Sequence, residues 1–170
     1  MKLRAALVLL VALGLAVIES VVPHLLHLRS ARPDLLLIVV LYLALRDDVI
    51  QGAALSAGAG YLSDLTSATP AFLYTFLAVL TFVVVRTAGS ALRTEGGIQS
   101  AAVAFGASLG HSVVATVVFG SFTGTGYHLE LSPMFWSAAG TALAAPLVFS
   151  VLRRVDAGFL HGEEAPGGMR

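Results

Sequence analysis

Apolar residues fill long stretches of this chain, and polar residues are confined to short breaks between them. The stretches run over about residues 5–22, 33–45, 49–66, 70–86, 98–122 and 133–152. An apolar helix of about 20 residues matches the roughly 30 Å hydrocarbon core of a bilayer. In lipid every backbone amide must be satisfied internally, which selects helices over open strands. The pattern therefore predicts an all-α membrane protein with six transmembrane helices. They form a single polytopic domain over residues 1–155, followed by a flexible cytoplasmic tail over residues 156–170.

The breaks and seams add detail. The first stretch follows Lys2 and Arg4, as a signal peptide would. It is longer than a usual signal core, however, and its end, Val17-Ile18-Glu19-Ser20, lacks a small-x-small cleavage site, so it reads as a retained span. Pro33 is expected to open the second span, with Asp34 in its first turn. That span is short for a bilayer, so it must begin earlier, tilt little or be shielded by neighbours. Gly52, Ser56 and Gly60 recur every four residues in the third span, and Ala102, Gly106 and Gly110 do so in the fifth. Small residues at this spacing let helices approach closely in lipid, so both seams are candidate helix-packing or partner-binding faces. Pro70 and Pro133 are expected to start the fourth and sixth spans.

Composition agrees with a membrane setting. Charged residues make up 12% of the chain, about half the share in soluble domains, and mean hydropathy is +0.88. Ten basic and ten acidic residues cancel, so net charge points to no nucleic-acid partner. Their positions matter more. With the N-terminus inside, eight basic residues fall on inner segments and two, Arg29 and Arg32, on outer loops. That asymmetry fits the positive-inside rule and puts both termini in the cytoplasm. The chain has no cysteine, which removes disulfides, thiolate metal sites and cysteine nucleophiles.

The polar residues of the spans are the candidates for chemistry. Arg32, Asp34 and Asp64 fall on the outer side, where Asp64 could pair with Arg32 or Arg29 as a polar pin across the first three spans. Glu19 and His111 are candidate buried polar groups. His111 could serve as a proton relay or substrate contact, but without an acid at helical spacing on its own span it is rather expected to be neutral and to hydrogen-bond across helices. Ser108 lies three residues before it, but no extended hydrolase motif surrounds the pair. Asp47-Asp48 reads as a solvated turn. No metal-ligand spacing or phosphate loop is present, so neither catalytic residues nor cofactors are assigned.

The block from Pro33-Asp34-Leu35 to Leu45-Arg46, the glycine-rich helix after it, and Tyr61-Leu62-Ser63-Asp64-Leu65 resemble the bacterial rod shape-determining MreD family. The chain departs from the family where glycine tends to follow the aspartate: it has Ala68 at the turn and Phe72 at the start of the next helix. The resemblance implies a fold like the substrate-binding subunits of energy-coupling-factor transporters. It implies a non-enzymatic inner-membrane scaffold of the cell-elongation machinery, supporting peptidoglycan synthesis. Its implied partners are the bitopic protein MreC, the RodA synthase with its penicillin-binding protein, and the actin-like MreB filament. The alternative is a vitamin-capturing transporter subunit. That reading needs a cavity of converging polar groups, for which Tyr42, Asp64, Tyr74, His111, Tyr127 and Trp136 are the candidates.

Overall fold

In the computed structural model, which describes residues 2–25, 33–66, 72–89, 96–123 and 131–163, the chain is helical. Six helices follow in order: α1 (Lys2–Leu25), α2 (Leu35–Arg46), α3 (Val49–Thr66), α4 (Leu73–Ala88), α5 (Gly97–Thr123) and α6 (Leu131–Glu163). Three contain segments long and apolar enough to cross a membrane: Arg4–Val21, Gly97–Ser121 and Leu131–Gly158. Helices α2 and α4 are apolar but shorter. Glycine, serine and glutamine dilute the hydropathy of α3.

Helix α2 is the axis of the bundle. It has 12 residues, about 18 Å of helix, and it packs against each of the other five helices. Every residue from Leu35 to Ala44 is buried. Ile38, Val39, Leu41 and Leu43 are 0% exposed, so the other helices rather than lipid surround it. Of the three ways to accommodate its shortness, the fold uses shielding. The helix does not start at Pro33, as the sequence suggests, but at Leu35, because Asp34 caps it. The Asp34 side chain accepts the Leu37 N–H at 2.8 Å, satisfying one of the amides that a helix start leaves free.

The two small-residue seams behave differently. On α3, Gly52, Ser56 and Gly60 are all buried. A Cβ on Gly60 would lie 2.7 Å from the Thr75 Cα and the Tyr74 carbonyl oxygen. That seam is therefore a backbone-to-backbone contact between α3 and α4. On α5, Gly106 and Gly110 are exposed, with nothing within 4 Å of an added Cβ. Helices α4 and α5 meet only sparingly, while α5 packs extensively on α6.

Two expected boundaries move. Helix α4 begins at Leu73; Pro70 lies outside the described residues. Helix α6 does not give way to a tail at residue 156 but continues to Glu163. No Gly or Pro interrupts Leu152–Ala157, and Asp156 is anchored by side chains of two other helices.

Candidate functional site

At the end of the bundle opposite the N-terminus, residues of all six helices surround a cavity of about 270 Å³. Its polar lining includes Glu19 of α1, Asp34 before α2, Tyr74 of α4, and His111 and Ser112 of α5. Its apolar floor includes Leu36, Leu37 and Val40 of α2. The two carboxylates are there because α2 starts there. Glu19 accepts the Leu35 N–H at 3.1 Å, and Asp34 accepts that of Leu37. The Asp34 N–H donates to the Thr141 hydroxyl at 2.9 Å, tying this corner to α6. Negative charge at a helix N-terminus is favoured by the helix dipole.

His111 borders the same cavity, with a side chain 10% exposed. Neither ring nitrogen has a hydrogen-bond partner. The expected cross-helix hydrogen bond is therefore not made. Its Nε2 instead faces the free side of Asp34 across 3.7 Å, too far for a hydrogen bond. The Tyr74 ring lies nearly parallel to the imidazole, with centroids 6.3 Å apart. Among the described residues no hydrogen bond joins Ser108 to His111, so a hydrolytic dyad is not formed. No three His, Asp or Glu side chains among them are grouped to hold a metal.

Asp64 does not line this cavity. Its carboxylate closes the start of α4, accepting the Tyr74 N–H at 2.8 Å, the Thr75 N–H at 2.9 Å and the Thr75 hydroxyl at 2.6 Å. The residue preceding α4, Phe72, offers no side-chain cap, so Asp64 supplies one from the preceding helix. Arg32 lies outside the described residues. Asp34 with Glu19, and Asp64, thus form two helix caps, on α2 and α4, and the expected pairing of Asp64 with Arg32 or Arg29 involves residues outside those described. Of the six polar residues weighed for a vitamin site, Tyr74 and His111 line the cavity. Tyr42 points to the other end, Trp136 is 55% exposed, and Tyr127 lies outside the described residues.

The other end of the bundle carries an ion-pair cluster that sequence reasoning missed. Arg4 of α1 donates to Asp47 at 2.5 Å and to Asp156 at 2.7 Å. Tyr42 donates its hydroxyl to the second Asp156 oxygen at 2.5 Å. Arg86 of α4 donates to the Asp47 and Ala44 carbonyls at 2.8 and 3.2 Å, placing positive charge on the C-terminus of α2. Asp47 is not solvated: its side chain is 1% exposed. Its neighbour Asp48 is exposed, as expected of a turn. The only sequence signal for this cluster was the placement of Arg4 and Asp47 at the same end of successive spans.

A second, apolar groove of about 240 Å³ lies between α4 and α5. Leu77, Leu80 and Val84 form one wall, and Gly106, Ala107 and Gly110 the other.

Searches among curated proteins and among solved structures return no significant match. Residues 1–155 match the family model described as rod shape-determining protein MreD. The match spans all of α1 to α5 and most of α6, and the chain belongs to the MreD family of membrane proteins that determine rod shape.

Proposed function

We propose that this chain is a non-enzymatic scaffold of the inner membrane. It supports rod shape and peptidoglycan synthesis by binding the span of an MreC-like bitopic partner and, with it, a RodA-like synthase and its penicillin-binding protein. All six helices cross the bilayer, with both termini in the cytoplasm, as the distribution of basic residues favours.

The observation that carries the reading is the contrast between the two seams. Gly60 is closed by α4, whereas Gly106 and Gly110 stand open beside an apolar groove. In lipid no hydrophobic effect drives helices together, so close backbone approach and dispersion must do so. An open glycine face provides that approach for a helix from another chain. Exposed Leu80, Val83 and Val84 on α4 flank it.

Co-purification in mild detergent tests this. Gly106→Leu with Gly110→Leu should abolish capture of the MreC-like partner while leaving the chain folded, because a Cβ at either position meets open space. Full capture by that double variant would sink the assignment of this face. The vitamin-capturing reading draws support from the polar cavity. It is weakened by how few of its expected polar residues line it.

A further inference from the structure

We propose that the polar cavity and the apolar groove are the two halves of one lipid site, with the His111 ring as the partition between them. The occupant is a membrane lipid whose headgroup carries hydroxyls: the headgroup lies in the cavity and an acyl chain in the groove. The two spaces adjoin. His111 lines both, and on either side of it the lining divides between them: Ala78, Ser112 and Ala115 belong to the cavity, Leu77, Gly110 and Val114 to the groove. The seam is thin there, because α4 and α5 meet only sparingly. The imidazole is poorly held as a permanent wall. It is nine-tenths buried with neither ring nitrogen bonded, and its Nε2 stops 3.7 Å from the Asp34 Oδ2, beyond hydrogen-bond reach. Buried polar atoms without partners are costly, and turning the ring breaks no hydrogen bond. A neutral imidazole has one N–H to give and one lone pair to offer. A hydroxyl accepts the first and donates to the second, so a hydroxylated headgroup satisfies the turned ring whatever the site's net charge. The groove sets the direction of the tail. Its α4 wall runs from Leu77 to Val85, about 12 Å away from the cavity, toward the end where Arg86 holds the C-terminus of α2. Apart from Thr81 and His111, its described lining carries no polar side chain. With the cavity on the outer side, as the basic residues favour, polar end outward and apolar end inward is the orientation of an outer-leaflet lipid.

The groove is also the face assigned to a partner helix, so the two occupants compete for it. The lipid is tested on the full chain by itself, and its failure leaves the partner reading standing. The chain is placed in phosphatidylcholine nanodiscs doped with a glucosyl diacylglycerol that carries a photoreactive group in one acyl chain. Crosslinked residues are mapped by mass spectrometry. The expected crosslinks concentrate on groove residues such as Leu80, Val84 and Val114. Unlabelled glucosyl diacylglycerol should displace them about tenfold better than added phosphatidylcholine, whose headgroup has no N–H or O–H donor; that ratio is the worth of one hydrogen bond. Free glucose should not displace them. His111→Phe keeps a ring against Tyr74 and should erase the preference between the two lipids. Gly110→Leu, whose added side chain starts in open space, should fill the groove and remove the crosslinks. Crosslinks scattered over all lipid-facing helices, or equal displacement by both lipids, would overturn the proposal on the unaltered chain alone. So would displacement by free glucose, a folded His111→Phe chain that keeps the preference, or a folded Gly110→Leu chain that keeps the crosslinks.

Discussion

Asp64 of α3 holds the first turn of α4, its two carboxylate oxygens taking the backbone N–H groups of Tyr74 and Thr75. A residue that looks like an acid stranded at a membrane edge is thus part of the joint between two helices. Asp64→Ala leaves both amides without this acceptor and should destabilise the chain by about 1–2 kcal/mol, the range for a lost helix cap. Asp64→Asn keeps one acceptor oxygen and should fall between. Unfolding in detergent reads both, and an unchanged midpoint for Asp64→Ala would refute the role.

Phe72 occupies left-handed backbone, φ 68° and ψ 8°, directly before α4. This is one of the two positions where the resemblance leads one to expect glycine; the other, Ala68, lies outside the described residues. A side chain costs roughly 1–2 kcal/mol in that conformation, and glycine is nearly free of the penalty. Phe72→Gly should therefore be about 1 kcal/mol more stable than Phe72→Ala. The comparison with alanine removes the ring's stacking on Tyr61 from both sides. Equal stability of the two variants would count against backbone strain here.

The two seams should respond in opposite ways to one methyl group. Gly60→Ala pushes a Cβ into the Thr75 backbone, which cannot yield as a side chain can. It should cost about 1–3 kcal/mol, the usual range for overpacking, or more. Gly106→Ala and Gly110→Ala meet open space and should be neutral or slightly stabilising, by up to about 1 kcal/mol of helix propensity. Matched unfolding curves for the three variants decide it; equal losses would mean that α5 packs as α3 does.

At the opposite end, Arg4 and Asp47 should be energetically coupled. Removing Arg4 strands the buried Asp47 carboxylate, typically at a cost of about 3–5 kcal/mol, whereas removing Asp47 leaves Arg4 paired with Asp156. Arg4 is partly exposed and keeps Asp156, so Asp47→Ala should cost less than Arg4→Met. The double variant Arg4→Met with Asp47→Ala should lose less than the sum of the singles, by about 0.5–3 kcal/mol. Strict additivity in a double-mutant cycle would refute the pairing.

Local chemistry was legible in the sequence where it rested on period and composition. The spans expected over residues 49–66 and 98–122 correspond closely to α3 (Val49–Thr66) and α5 (Gly97–Thr123), because apolar runs and polar breaks fix them. The MreD resemblance rested on the block from Pro33 to Leu65 and was borne out across residues 1–155. What could not be read was anything set by packing between distant segments. Gly52–Gly60 and Gly106–Gly110 share one spacing, and spacing alone cannot say which face a neighbour covers. Arg4 and Asp156 are 152 positions apart. Asp156 looked like tail because the hydrophobic run had ended, although the helix had not. The positive φ of Phe72 leaves no trace in its residue type.

The burial of α2 bears on how the protein is made. A 12-residue helix with no face turned to lipid has no resting place in a bilayer until its jacket exists. Two of its fastenings, Tyr42 to Asp156 and Asp34 to Thr141, belong to α6, which is synthesised after all five other described helices. The first half of the chain must therefore wait in an unfinished arrangement, and closure around α2 becomes the committing step of biogenesis. Because the chain has no cysteine, Ile38→Cys gives a single label site for following this. A thiol reagent should reach it in chains truncated before residue 131 and be shut out of the complete one; equal labelling of both would mean that α2 is enclosed before α6 arrives.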